Sequence, residues 1–261
     1  MKKFTNTDRI KSFAIMFLPT IIFMFLWELI IHQFKIAPWI LPSPSQIFVS
    51  LFEQRFLLWS HTKVTLFESV IGFGIAVLLS FIIAFLLDLT PLVKKVVYPF
   101  LIISQTIPII TIAPLLVIWF GYDLAPKIFV VILVCFFPVT INMLHGLESV
   151  DPEIIALLKI MGANKQQIFR YVKLPNSLNG FFSGLKISAT YSIMGAVIGE
   201  WLGAKAGLGE YMRRSMRSFS VDRTFSAIVV ITALSFALLL CIRWIEFMSM
   251  PWLRKKPSWM E

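Results

Sequence analysis

Charge is scarce in this 261-residue chain: 15% of its residues are Asp, Glu, Lys or Arg, against about a quarter in water-soluble domains. Apolar side chains take their place, making up 58% of the chain with 25 Phe and 8 Trp, and they are laid out in long runs. This excludes a disordered, collagen-like or disulfide-stapled secreted chain and points to a membrane protein. Cysteine and histidine are equally sparse. Cys135 and Cys241 lie inside apolar runs, where packing suits them better than a disulfide or a metal pair. His32, His61 and His145 stand far apart with no Cys, His or carboxylate at ligand spacing, so no metal site is expected. The phosphate loop Gly-x-x-x-x-Gly-Lys-Ser/Thr is missing. Neither Gly72-Phe73-Gly74 nor Gly207-Leu208-Gly209 has the third glycine of a dinucleotide fingerprint, and both read as packing and turn elements. No cofactor and no catalytic residue is expected.

What is present is a set of six apolar windows near the length of about 20 residues that a helix needs to cross about 30 Å of hydrocarbon. They cover residues 12–31, 64–87, 96–120, 128–147, 180–204 and 224–245. Together they leave only loops and tails, so the expectation is an all-α membrane protein with six transmembrane helices. Its organisation would be a cytoplasmic N-terminal tail over 1–11, one membrane domain over 12–247 and a cytoplasmic C-terminal tail over 248–261. The first window is too long for a signal-peptide core and has no small-residue cleavage site after it, so it reads as a retained helix.

The net charge of +10 does not mark a nucleic-acid binder, because the basic residues sit at the ends of apolar runs instead of forming one aromatic-interleaved stripe. Membrane orientation explains them. With both termini inside, 14 Lys and Arg fall on the cytoplasmic side and nine on the other. Five of those nine, Lys205, Arg213, Arg214, Arg217 and Arg223, come from the single segment after the fifth window. A half-span or re-entrant turn in that segment fits the count as well.

Outside, Pro38-Trp39-Ile40-Leu41-Pro42-Ser43-Pro44-Ser45 holds three prolines that interrupt a helix and set an extended turn. Trp39 and Trp59 suit an interfacial aromatic belt, and the same stretch suits part of a docking surface. The third window carries Pro99, Pro108 and Pro114 and no charge, which predicts a kinked helix packed inside a bundle. Its polar cluster Ser104, Gln105 and Thr106, beside Pro108, makes it a candidate pathway lining, and Thr190 and Tyr191 of the fifth window are candidates with it. Gly184, Gly195 and Gly199 read as close-packing residues. Glu28, Glu68, Lys186 and Glu200 lie within a turn or two of window ends, so snorkelling to the interface is the expectation for all four.

Residues 148–178 are the most informative loop. Asp151 is placed to cap a helix that opens with Pro152 and Glu153 and stops at Gly162, which can take the left-handed conformation of a C-terminus. Asn164 then caps a second short helix expected to end before Leu174-Pro175. Ile154, Ile155, Leu157, Leu158, Ile160 and Met161 are too many for a solvated loop. Either the pair is a lid on the protein's own spans or another protein covers it.

Here the chain resembles the permease subunits of type I ABC importers, the binding-protein-dependent inner-membrane component family. That family's signature is Glu-Ala-Ala, three residues, Gly, nine residues, Ile or Val, one residue, Leu-Pro. Gly162, nine residues, Val172, Lys173, Leu174 and Pro175 match it, whereas the Glu-Ala-Ala positions hold Ala156, Leu157 and Leu158. Leu41-Pro42-Ser43-Pro44-Ser45, Gly72-Phe73, Ile107-Pro108, Ala113-Pro114-Leu115, Trp119-Phe120-Gly121, Gly184-Leu185-Lys186, Glu200 and Gly207-Leu208-Gly209 follow the family's order over about residues 36–250. They look most like the branch for nitrate, sulfonates, taurine and thiamine pyrimidine precursors. The stretch 189–203 looks closest to the last of these.

The resemblance implies a two-helix coupling loop of Ala156, Leu157, Leu158, Gly162, Ala163, Asn164, Phe169, Leu174 and Pro175 that docks on a separate ABC ATPase subunit. It implies a second permease subunit, as a homodimer, an extracytoplasmic solute-binding protein, and a multi-pass place in the lipid bilayer of a bacterial cytoplasmic membrane. The chain itself would not be an enzyme. Rival readings fare worse: an ion-gradient transporter needs ionisable residues near mid-span, and a membrane enzyme needs a His or carboxylate constellation at one face. Neither is visible in the sequence.

Overall fold

The computed structural model describes residues 6–250, with side chains from Leu18 onward. Most of the two expected tails, 1–11 and 248–261, therefore lies outside the described residues. All regular structure among the described residues is helical. In chain order the helices are α1 (Asn6–Gln33), α2 (Pro44–Glu53), α3 (Arg55–Leu89), α4 (Pro91–Ser104), α5 (Ile109–Phe120), α6 (Leu124–Glu148), α7 (Pro152–Ile160), α8 (Lys165–Ile168), α9 (Leu174–Trp201), α10 (Leu208–Arg217) and α11 (Val221–Ser249).

Among the described residues, four elements are long and apolar enough to cross a membrane: α3, α6, the continuous element Lys165–Trp201, and α11. α4 and α5 make a fifth if they are counted as one span, and a shorter apolar stretch, Leu18–Phe34, covers the second half of α1 and the residue after it. The expected single kinked helix over 96–120 is instead two helices meeting at 99°. Pro108 lacks the N–H that would continue α4, and with φ −62° and ψ 120° it starts α5 from an extended conformation. Its two halves pack differently: Leu101 is the one buried residue of α4, whereas α5 buries Ala113 and Leu116 against Val130 of α6.

The described chain divides into two compact units. One holds the residues up to Trp59 together with Tyr211–Val229. In it the proline-rich turn ends in a helix that patterning missed: Ser43-Pro44-Ser45-Gln46 forms a capping box, with Gln46 Oε1 accepting from Ser43 N–H at 3.0 Å. Glu28 does not snorkel freely; it accepts from the Ser45 backbone N–H at 3.0 Å and the Ser45 hydroxyl at 2.7 Å, tying α1 to the start of α2. Trp27 and Phe225 meet edge-on at 5.8 Å, and Ser226 Oγ donates to Ile47 O at 3.1 Å.

The second unit, Ser60–Glu210 with the chain from Val230, is built on α6 against α9. A β-carbon on Gly184 would lie 2.8 Å from Val139 Cα, and one on Gly146 would lie 2.8 Å from Ser177 Cα, so the two backbones touch. Contact at this range is how helices gain van der Waals attraction where no water drives them together. Met143, Leu144 and Leu147 are buried beside this seam. Lys186 Nζ pairs with Glu246 of α11 at 2.9 Å, both side chains being partly exposed.

The helix after Asn164 does not end before Leu174-Pro175 as expected. It passes through a π-helical turn, Phe169–Lys173, in which Leu174 N–H bonds to Phe169 O, and continues as α9. Proline cannot donate to the carbonyl four residues back, and its ring clashes there in a regular α-helix. The wider turn accommodates Pro175 without breaking the element.

Candidate functional site

Three constellations carry chemistry or mechanics. The first is the helix pair around Gly162. Asp151 Oδ1 accepts from Glu153 N–H at 2.8 Å and opens α7. Gly162, at φ 85°, closes it: its N–H bonds to Lys159 O at 3.0 Å and Ala163 N–H to Leu158 O at 2.9 Å. Asn164 and Gln167 then exchange side-chain to backbone bonds at 2.8 Å each, capping α8.

No residue of α7 is buried, and Ile160 and Met161 are 84% and 73% exposed. This overturns the lid alternative, because a lid would hide these side chains against the spans. Leu158, Gly162 and Ala163 line a notch of about 300 Å³ with Ile168 and Tyr171. Ala156 faces a separate notch beside Lys159 and Lys173. Phe169 turns the other way and packs edge-on against Phe85 with 4.9 Å between ring centres, while Leu174 and Pro175 are half-buried at the head of α9. The base of the pair is pinned by Lys173 Nζ to Asp88 at 2.7 Å and by an ion pair between Lys94 and Glu148.

The second constellation is a cavity of about 480 Å³ at the break between α4 and α5. Ser104, Gln105 and Pro108 line it from the break, Phe137 and Pro138 from α6, and Tyr191 and Met194 from α9. Thus four of the six residues proposed from sequence meet there. Thr106 and Thr190 do not line it; their hydroxyls donate to Ile103 O and Ile187 O at 2.7 Å, each within its own local turn. The lining has no charged side chain, so apolar and aromatic walls with an amide and a phenol suit a small, weakly polar molecule.

The third is a buried polar cluster that sequence reasoning did not assemble. Glu68 and Glu200 are fully buried, not snorkelling. Lys127 Nζ pairs with Glu68 Oε1 at 2.7 Å. Glu200 Oε1 accepts from Thr65 Oγ1 at 2.6 Å and Oε2 from Gly209 N–H at 2.6 Å. Thr65 Oγ1 in turn accepts from Leu208 N–H at 2.8 Å, and His61 Nδ1 accepts from Gly207 N–H at 2.9 Å. Carboxylates near window ends look like snorkellers until a partner is known. The available signal was Gly207-Leu208-Gly209, whose consecutive N–H groups are aimed at α3 and Glu200.

Apolar spans, a displayed helix pair and a weakly polar cavity between broken and continuous helices define a membrane transport permease. A family model described as binding-protein-dependent transport system inner membrane component matches residues 76–255, and the chain belongs to that family, within the type I ABC importers. It is 36% identical to the formylaminopyrimidine transport permease protein ThiX of Halalkalibacterium halodurans, over 91% of this chain and 96% of that one. It is equally 36% identical to a probable ABC transporter permease protein of Haemophilus influenzae, over 86% and 91% of the two chains. The taurine transport system permease protein TauC of Escherichia coli is 29% identical over 83% of this chain and 82% of its own. This is a multi-pass bacterial membrane protein of an ATP-driven importer, and its family works with a solute-binding protein and an ATPase.

Proposed function

We propose that two copies of this chain, each with six spans and both termini in the cytoplasm, form the pathway for a formylaminopyrimidine-type thiamine precursor. ATP hydrolysis occurs on a separate subunit that grips α7, Gly162 and α8, and a binding protein releases solute at the opposite face. The membrane domain is the span-bearing stretch 12–247, with Ser104, Gln105, Pro108 and Tyr191 along the path.

The observation that carries this reading is the continuity of Lys165–Trp201. One helical element of 37 residues begins at the exposed pair and carries Tyr191 and Met194 into the cavity. Displacement of α8 is therefore delivered to the cavity wall along a stiff rod, with Gly162 as the flexible joint to α7. The solute assignment is supported by the ThiX relationship and by the uncharged lining, which offers no cationic side chain to a sulfonate or nitrate.

The test is uptake in vesicles reconstituted with the ATPase and binding protein. Formylaminopyrimidine should be taken up with ATP inside, and Gly162→Val should hydrolyse ATP without uptake. Uptake driven by an ion gradient with no ATPase present would reject the reading, and preference for taurine would reject the solute.

A further inference from the structure

The corner between α10 and α11 holds a group of side chains that the transport reading leaves unused. Tyr211–Val229 carries five charged residues, and the three that are exposed, Arg214, Arg217 and Arg223, are all arginines. Among them stand two exposed apolar side chains, Met216 at 52% and Phe219 at 75% exposure. The acidic member, Asp222, is only half-exposed.

Phe219 ends α10 in the left-handed conformation, at φ 56°. Its N–H donates to Met216 O at 3.1 Å and Ser220 N–H donates to Ser215 O at 2.9 Å, the bond pair of a helix terminus that glycine ordinarily supplies. A bulky side chain is disfavoured in that conformation, and this one gains no burial in exchange. The apolar run of α11 starts at Thr224-Phe225, directly after Arg223, and α11 is one of the elements long and apolar enough to cross a membrane.

We propose that this corner is an anchor for anionic phospholipid: Arg214, Arg217 and Arg223 hold headgroup phosphates, and Phe219 inserts its ring at the boundary with the acyl chains. A guanidinium matches a phosphate through two parallel N–H bonds, and an aromatic set between cations is the pattern of segments that lie in the interface. The anchor also accounts for three of the five basic residues gathered in the one segment that charge counting does not place inside. An acidic protein face would match the positive charge but leaves unexplained an aromatic held in a disfavoured conformation at the edge of an apolar helix. On the proposed topology the leaflet is the outer one; the lipid contact itself does not depend on that.

The test uses the full chain with Cys241→Ser and Phe219→Cys, carrying a nitroxide at position 219, in nanodiscs of phosphatidylcholine with and without phosphatidylglycerol. The label should be more accessible to oxygen than to a water-soluble nickel chelate, and deeper when phosphatidylglycerol is present. Combined Arg214→Gln, Arg217→Gln and Arg223→Gln should abolish that lipid-dependent shift. Without the label, the otherwise unaltered chain should retain more phosphatidylglycerol through purification than the triple variant, as read by native mass spectrometry. A label that stays in water in both compositions, or a depth indifferent to phosphatidylglycerol, overturns the proposal. So does shielding that arises only when the solute-binding protein is added, which would assign the corner to protein docking.

Discussion

Thr65 Oγ1 donates to Glu200 Oε1 at 2.6 Å between residues 135 positions apart, and both side chains are fully buried. The bond joins α3 to the last turn of α9, and the same carboxylate receives Gly209 N–H at 2.6 Å. One side chain thus satisfies two donors that have no water to turn to. Leaving a buried donor unmet costs about 1 to 3 kcal/mol. Glu200→Ala should lower the melting temperature of the purified permease by several degrees, and Glu200→Gln, which keeps one acceptor oxygen, should lower it less. Equal melting of both variants and the parent protein in lipid nanodiscs would show that the cluster has no stabilising part.

Lys127 and Glu68 form a pair in which Glu68 is fully buried and the lysine side chain is 11% exposed. Removing one partner strands a buried charge, whereas removing both does not. Lys127→Met alone should destabilise the protein by about 3 kcal/mol or more, and adding Glu68→Gln should recover much of that loss. A double-mutant cycle on thermal unfolding reads the coupling. Additive losses would mean that the two groups do not interact.

Gly207 sits at φ 119°, and a β-carbon there would run into the Glu200 carboxylate. Both effects oppose any side chain, the first at about 1 to 3 kcal/mol. Gly207→Ala should therefore be harmful where Gly74→Ala, with open space around its β-carbon position, is tolerated. Expression and melting of the two variants side by side distinguish them.

The half-buried Lys173–Asp88 pair, at 2.7 Å, fixes the π-helical turn through which α8 continues into α9. Asp88→Asn should leave the fold standing while loosening the rod beneath the exposed pair. ATP hydrolysis should then persist with uptake reduced several-fold, measured in the same reconstituted vesicles. Unchanged uptake per ATP would remove this pair from coupling.

Met194 lines the same cavity as Gln105. Met194→Trp should fill part of its roughly 480 Å³ and block uptake while ATP hydrolysis continues. Free passage of solute in this variant would move the pathway elsewhere.

Much of the fold was legible because its signals are local. Apolar length marked the long helices α3, α6, α9 and α11, Asp151-Pro152-Glu153 and Gly162 marked both ends of α7, and Asn164 marked the start of α8. Where local signals compete, the reading failed. Pro175 looked like a stop, yet a π-helical turn carries the helix past it; Pro108 looked like a kink, yet it separates two helices. Ser43-Pro44-Ser45-Gln46 held a capping box that the prolines around it obscured.

The sequence by itself determined that this chain is helical, membrane-embedded and of the ABC permease family, since composition, helix length and ordered motifs are properties of neighbouring residues. Tertiary structure alone decided that Glu68 and Glu200 are buried, that Tyr191 meets Gln105 in one cavity, and that α7 stands uncovered. Burial and partnership depend on helices far apart in the chain coming together, and no local pattern records which of them meet.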